Sequence, residues 1–246
     1  MNFNPGIKDK LYIVANTYML LGLMETIKEL ILYLLSHRPK DDFDEKYDVS
    51  TVYTERLTKP DVADPVAGSY AVHYVPTREC VMRHILNNAV DSSMILQSSF
   101  IDLGCGKGRT LMIAAQFPFL EVIGVELSAD YHRVAVENLA RYRSHQGEIC
   151  CRGLRAVCAN ALDFEFPRTN LFIYMYRPFW GPVFKGVVDK LYQFHVSTGH
   201  QVLVAYSCPV EQNLLAQHGG FVQRKEFQVI STDYSWSSWE CGRRSS

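Results

Sequence analysis

The chain lacks the features that mark several large functional classes. Formal net charge is −1 over 246 residues, so no global field attracts nucleic acid, and no arginine–aromatic module for RNA is present. The seven cysteines, Cys80, Cys105, Cys150, Cys151, Cys158, Cys208 and Cys241, form no CxxC pair and are odd in number. A secreted disulfide framework and a zinc centre are therefore not expected, and no metal is assigned. Reduced thiols in a cytoplasmic setting are expected instead. Internal repeats and low-complexity tracts are absent. Leu11 to Leu35 is strongly apolar but is interrupted by Glu25, Lys28 and Glu29, whereas a spanning helix wants about 20 apolar residues without such charges. No small-residue cleavage site follows Leu11–Met24, which argues against a secretory signal.

What is present divides the chain in two. Residues 1–69 read as an N-terminal helix, ended at His37-Arg38-Pro39-Lys40 because proline cannot continue it, followed by an extended connection over 39–69. The helix is expected to pack on its own domain or on a second copy, giving a homodimer through residues 11–35. An interfacial helix, and with it a membrane-associated protein, is the alternative. Residues 70–246 alternate strand and helix. Strands are expected in "SFIDLG", "EVIGVEL", "LRAVCANA", "NLFIYMY" and "QVLVAYS". Helices are expected in Cys80–Val90, capped by Thr77, in "RTLMIAAQ", from Ser128 to Gly147, in Gly181–Phe194 and in "VEQNLLAQHGG". "FVQRKEFQVI" and "DYSWSSWE" close the chain as an antiparallel pair. Such alternation predicts an α/β fold with right-handed crossovers, a mostly parallel sheet and helices on both faces. Ligands of such folds sit beyond the carboxyl ends of the strands.

The stretch "FIDLGCGKGRTLMIAA" carries Gly104, Gly106 and Gly108 on alternate positions behind Asp102. Glycines between strand and helix let a ligand approach the backbone. A P-loop would need GxxxxGK[ST], but Lys107 is followed by Gly108. A dinucleotide site would need GxGxxG, but that count ends on Arg109 or Leu111. Glu126 closes the next strand, 126 − 106 = 20 residues beyond the central glycine, where a carboxylate can accept both hydroxyls of a ribose. Asn160 lies just past the third strand. Its amide can meet an adenine N6 and the Ala161 N–H a ring nitrogen, with Asp163 as a second polar candidate; a plain turn is the alternative.

These elements resemble the class I S-adenosylmethionine-dependent methyltransferases, over nearly the whole chain. The likeness is nearest to a mostly bacterial family with the motifs "FDxxxGVDT", "YxPT", "DLGSGKGR", "VIGVExS", "NLxxY", "GDAxxFxxP" and "YLYNPF". This chain reads "FDEKYDVST", "YVPT", "DLGCGKGR", "VIGVELS", "NLARY", "ANALDFEFP" and "YMYRPF". The resemblance implies a three-layer Rossmann-like sandwich with a seven-stranded sheet, S-adenosylmethionine as cofactor, and methyl transfer to an unidentified protein side chain or small molecule. A catalytically inactive binding subunit acting through the N-terminal helix is the alternative. It further implies that Asp102, Gly104, Cys105, Gly106 and Gly108 pass under the methionine part. Glu126 and Leu127 would hold the ribose, Asn160 and Ala161 would face the adenine, and Tyr74 and Thr77 would form a lid. His73 reads as a loop residue.

On the acceptor side, Tyr174 and Tyr176 share one face of the fourth strand by alternation and are expected as substrate floor or as half-buried core. Arg177 replaces the asparagine of the "YNPF" motif. The proline after it predicts an extended backbone. The cation is expected either beside the methyl position, where it favours a negative or neutral acceptor, or turned outward to Asp163 or Glu165.

Overall fold

The computed structural model describes residues 7–35, 42–52, 65–72, 74–89, 92–144, 149–229 and 234–242. His73, Pro39, Gly147 and the tail 243–246 lie outside these, as do the side chains of Glu25, Lys28 and Glu29.

Seven strands form one sheet: β1 (Ser98–Leu103), β2 (Glu121–Glu126), β3 (Leu154–Cys158), β4 (Asn170–Tyr176), β5 (Val202–Ser207), β6 (Phe221–Phe227) and β7 (Trp236–Cys241). Their order is β3-β2-β1-β4-β5-β7-β6. The first five run parallel, and β7 is antiparallel to both β5 and β6. The helices are α1 (Ile7–Leu35), α2 (Phe43–Tyr47), α3 (Pro65–Gly68), α4 (Glu79–Asn88), α5 (Ser92–Ile95), α6 (Arg109–Ala114), α7 (Ala129–Ser144), α8 (Gly181–Thr198) and α9 (Gln212–His218). The central strands are buried on both faces, which is why they read as continuous apolar runs rather than as alternation.

Alternation along those strands feeds two cores. Phe100, Phe172 and Tyr174 pack with Met82 and Ile85 of α4, Leu111 of α6 and Leu139 of α7. Ile101, Ile173, Met175 and Tyr206 pack on the opposite face with Phe184 and Val187 of α8 and Leu215 of α9. The expected three-layer sandwich with its antiparallel hairpin is thus present. The chain leaves β1 toward β2 and β3 on one side and returns at β4 on the other. The switch of strand order falls between β1 and β4, and the carboxyl ends open there.

Three expectations change. Residues 39–69 are not simply an extended connection: Phe43–Tyr47 and Pro65–Gly68 are helical, and residues 42–52 pack into the main domain. Thr77 does not cap α4. Arg78 stands at the cap position with no side-chain cap bond, and the buried Thr77 hydroxyl shares a 2.8 Å hydrogen bond with Tyr174 instead. Arg177 is not extended; its φ is 40°.

The N-terminal helix is kinked at Gly22 (φ 80°, ψ 171°). Its first half is tied to its own domain, where it packs against α4. The buried Asn16 donates to the Gln228 carbonyl at 3.0 Å, and the Tyr12 hydroxyl donates to the Glu226 carbonyl at 3.3 Å. Among the described residues, no helix is long and apolar enough to cross a membrane.

Candidate active site

A cleft enclosing about 1050 Å³, mouth included, opens over the switch point. Its floor comes from strand ends: Asp102 of β1, Val125 and Glu126 of β2, Tyr174 and Tyr176 of β4. The turn Gly104–Gly106 forms one wall, Leu127, Ala159, Asn160 and Ala161 another, and Ala71, Val72 and Tyr74 to Thr77 the roof.

The glycines earn their positions differently. Gly104 (φ 87°) and Gly106 (φ 53°) are left-handed, a conformation that favours glycine. A Cβ at Gly104 would lie 2.4 Å from the Pro178 side chain, and one at Gly106 would lie 2.1 Å from the Tyr74 ring. The Pro178 loop after β4 and Tyr74 of the roof therefore pack closely on the backbone of the strand-to-helix turn. Gly108 serves another purpose. It caps α6 at φ 84°, and a Cβ there would meet Ala135 of α7 at 3.3 Å. It faces α7 and does not line the cleft, contrary to the expectation that it passes under a ligand. Cys105 is buried with its sulfur against Gly124, and burial pushes its thiol up, so it stays neutral.

Glu126 is 8% exposed. Its Oε2 accepts the Gly106 N–H at 2.8 Å and its Oε1 accepts the Ser128 N–H at 2.9 Å. Burial raises its carboxyl pKa, while the backbone N–H groups of Ser128, Gly106 and Leu127 act to lower it. A carboxylate has about four acceptor sites, so acceptor capacity remains after these donors. Asn160 makes the turn that was the alternative reading. Its Oδ1 accepts the Leu162 N–H at 3.0 Å, yet it also lines the cleft, beside Ala161. Asp163 is exposed, acts electrostatically on Lys190 and does not line the cleft.

Tyr174 is fully buried, and its hydroxyl donates to Ser207 at 3.1 Å. Burial raises its phenol far above the usual value, as it does for Tyr74. Neither is a source of phenolate near neutral pH. Tyr174 is therefore a satisfied post under the cleft, and the half-exposed Tyr176 is the fourth-strand tyrosine that faces it more openly.

Asp102 is 2% exposed and accepts the Thr110 hydroxyl. Burial pushes its carboxyl up to about 7; the Thr110 bond opposes this and the Glu126 carboxylate adds to it. The sign for stability follows. A carboxyl raised from its ordinary 3.8 to about 7 binds an extra proton in the folded chain. The stabilisation is fully present below the ordinary value and is lost as pH rises through about 7. In the ligand-free protein, the stability of Asp102→Asn relative to the parent is expected to increase between about pH 5 and about pH 8. Urea unfolding at the two pH values checks this, and a constant difference would refute it.

Sequence reasoning missed what holds the glycine turn from behind. Arg109, 1% exposed, lies 3.2 Å from the Asp44 carboxylate, donates to the Thr51 hydroxyl at 2.6 Å and sits 4.6 Å from the centre of the Phe43 ring. Asp44 also accepts the Thr51 and Val52 N–H groups at 2.6 and 2.7 Å. Lys107 donates to the Val52 carbonyl, and Tyr74 to the Thr51 carbonyl. Asn138 bridges Ser50 and the Lys107 carbonyl. Residues 42–52 thus form a clasp on the turn while contributing nothing to the cleft wall. The signal available was "FDEKYDVST", a motif without a visible partner.

The sequence matches no family model and no curated protein. Solved structures of similar shape include a ribosomal protein L11 methylase from Lactobacillus delbrueckii subsp. bulgaricus, at 15% identity over 72% of this chain and 82% of that one, TM-score 0.49. A second is an RNA methyltransferase from Salinibacter ruber in complex with S-adenosyl-L-homocysteine, at 16% identity over 70% and 95%, TM-score 0.44. A third is a putative RNA methyltransferase from Pyrococcus horikoshii, at 16% identity over 72% and 95%, TM-score 0.45. At such identities the likeness is one of fold alone, and the chemistry of the cleft is read from its own residues.

Proposed function

We propose that the chain is an S-adenosylmethionine-dependent methyltransferase. The observation that carries this reading is Glu126. Its carboxylate sits at the end of β2, is fixed by backbone N–H groups of the glycine turn and of the loop after β2, lines the cleft, and keeps acceptor capacity for ribose hydroxyls. The rest of the cleft fits the same cofactor. Gly104 and Gly106 bring backbone to the cleft beside Tyr74 and Pro178, where the methionine part would pass. Asp102 supplies a carboxylate near it, and Leu127, Asn160 and Ala161 supply an apolar slot with an amide for the adenine. When bound, the cofactor supplies an electrophilic sulfonium methyl. The protein's task is then alignment, which in well-oriented reactions is worth ~7–11 kcal/mol.

A dinucleotide is disfavoured on structural grounds. Its diphosphate would need the N-terminus of α6. There the Gly108 N–H is held by the Cys105 carbonyl, and Lys107 and Arg109 are turned into the clasp. The RNA and ribosomal-protein acceptors named for the similar structures are not carried over, because a likeness at such identities is one of fold alone. A binding-only role has no observation in its favour.

Titration calorimetry tests the reading. S-adenosylmethionine and S-adenosylhomocysteine are expected to bind in the micromolar range, with no detectable heat from NAD or NADP. Binding of NAD at an affinity equal to that of S-adenosylmethionine would overturn it. Transfer of labelled methyl into fractionated cell extract then identifies the acceptor.

A further inference from the structure

Arg177 departs from the "YNPF" motif, lines the cleft and is half-buried. The outward pairing open to it does not form: among the described residues, no carboxylate lies within ion-pair distance of its guanidinium. Asp163 and Glu165 act on Lys190 instead. Glu211, which shares the surroundings of Tyr206 with Arg177, spends its carboxylate on the Gly181 N–H at 3.0 and 3.2 Å.

The backbone at this position is fixed in an unusual state. A φ of 40° is left-handed. Such a conformation is strained for a non-glycine residue, and the following proline restricts it further. The flanks explain why it persists. On one side, Tyr174 to Tyr176 are locked in register with β5. On the other, the Pro178 carbonyl accepts the Val72 N–H at 3.0 Å, Phe179 bridges to Ala71, and the Trp180 N–H donates to the Tyr70 carbonyl at 3.1 Å. The chain must turn between strand and roof within one residue, and Arg177 is that residue. Arg177 directly follows Tyr176, the last residue of β4, which pairs with Ser207 at the end of β5, so it stands at the carboxyl ends of both strands. The adjoining cleft wall is apolar and aromatic, with Tyr176, Phe179 and Val183.

We propose that Arg177 is the oxyanion subsite of the acceptor pocket. The acceptor is a small molecule carrying a carboxylate or phosphate near the atom that takes the methyl group, with an apolar or aromatic body against Tyr176 and Phe179. The proposal rests on the methyl-transfer reading above. The guanidinium is permanently charged, and its planar fork of N–H donors matches these oxyanions two bonds at a time. An ammonium acceptor would meet like charge in a cleft of restricted water, where repulsion is strengthened. A nucleic-acid phosphate is the less suitable source, because backbone binding engages many phosphates at once, whereas the described residues lining the cleft hold two basic side chains, Arg109 and Arg177, and Arg109 is engaged by Asp44 and Thr51.

The test uses the full chain saturated with S-adenosylhomocysteine, titrated with benzoate, phenyl phosphate, benzamide, benzylamine and a short single-stranded RNA. Benzoate or phenyl phosphate is expected to bind, and benzylamine is not. Arg177→Gln should weaken the oxyanion by roughly tenfold or more, and Arg177→Lys should recover part of it. The affinity for S-adenosylhomocysteine should stay within roughly twofold, since Arg177 belongs to the acceptor side. Equal binding of benzamide or benzylamine, undiminished oxyanion binding in Arg177→Gln, flat oxyanion titrations, or binding of the RNA alone would each overturn the subsite. Failure of S-adenosylhomocysteine to bind the parent chain is seen before any acceptor probe is added. It would remove the methyl-transfer reading and the subsite together, whereas S-adenosylhomocysteine binding with flat oxyanion titrations removes the subsite alone.

Discussion

Asp44→Ala is expected to destabilise the protein by about 3–5 kcal/mol, the range for breaking a buried pair by removing one partner. Arg109 is 1% exposed, and the Asp44 carboxylate lies 3.2 Å from its guanidinium. Alanine takes the Asp44 charge away from that guanidinium, which stays buried beside Phe43. It also strips the Thr51 and Val52 N–H groups of their acceptor. The clasp then loses its hold on the turn, and affinity for S-adenosylmethionine should fall even though Asp44 does not reach the cleft. Asp44→Asn keeps one acceptor and should lie between alanine and the parent. The double variant Asp44→Ala, Arg109→Met removes both charges and should recover part of the lost stability, because an apolar pair of similar volume replaces a charge pair at little net cost. Urea unfolding of the three variants measures this. A parent-like midpoint and cofactor affinity in Asp44→Ala would show that the clasp supports nothing.

The same clasp marks where the sequence stopped being legible. The strands were readable because burial on both faces gives uninterrupted apolar runs such as "LFIYM" and "VLVAY". The turn was readable because Asp102, Gly104, Gly106 and Glu126 keep their spacing along the chain. What could not be read depends on partners distant in sequence. Arg109 looked like a failed third glycine, and Asp44, 65 residues upstream, gives it its role. Thr77 has the local chemistry of a helix cap, but the competing partner is a hydroxyl 97 residues away. The alternate glycines suggested one shared function. Only the packing of α7 against Gly108 separates the third from the first two. At Arg177 a sound local rule, that residues before proline are extended, yields to ties on both flanks of a single-residue turn.

Glu126→Ala is expected to have the largest effect on cofactor binding. Hydrogen bonds to a charged group are worth about 1.5–3 kcal/mol each, and the ribose would make two of them. Even with strong non-additivity the affinity should drop by roughly a hundredfold. The substitution has a second consequence, because the same carboxylate latches the Gly106 and Ser128 N–H groups. Leaving these without an acceptor costs about 1–3 kcal/mol each where water does not enter. Some loss of stability therefore accompanies the loss of binding, and two further variants separate them. Glu126→Gln preserves volume and one acceptor but turns an NH2 group toward a backbone donor. It should bind poorly and be destabilised. Glu126→Asp keeps the charge and shortens the reach by one methylene. It should remain better folded than Glu126→Gln while still losing affinity, because a withdrawn carboxylate cannot serve the loop and the ribose together. Calorimetry with S-adenosylhomocysteine, paired with thermal unfolding of each variant, reads both effects. If Glu126→Ala were destabilised yet bound the cofactor within roughly twofold of the parent, Glu126 would be a latch for the glycine turn alone, and the ribose would have to be held elsewhere in the cleft.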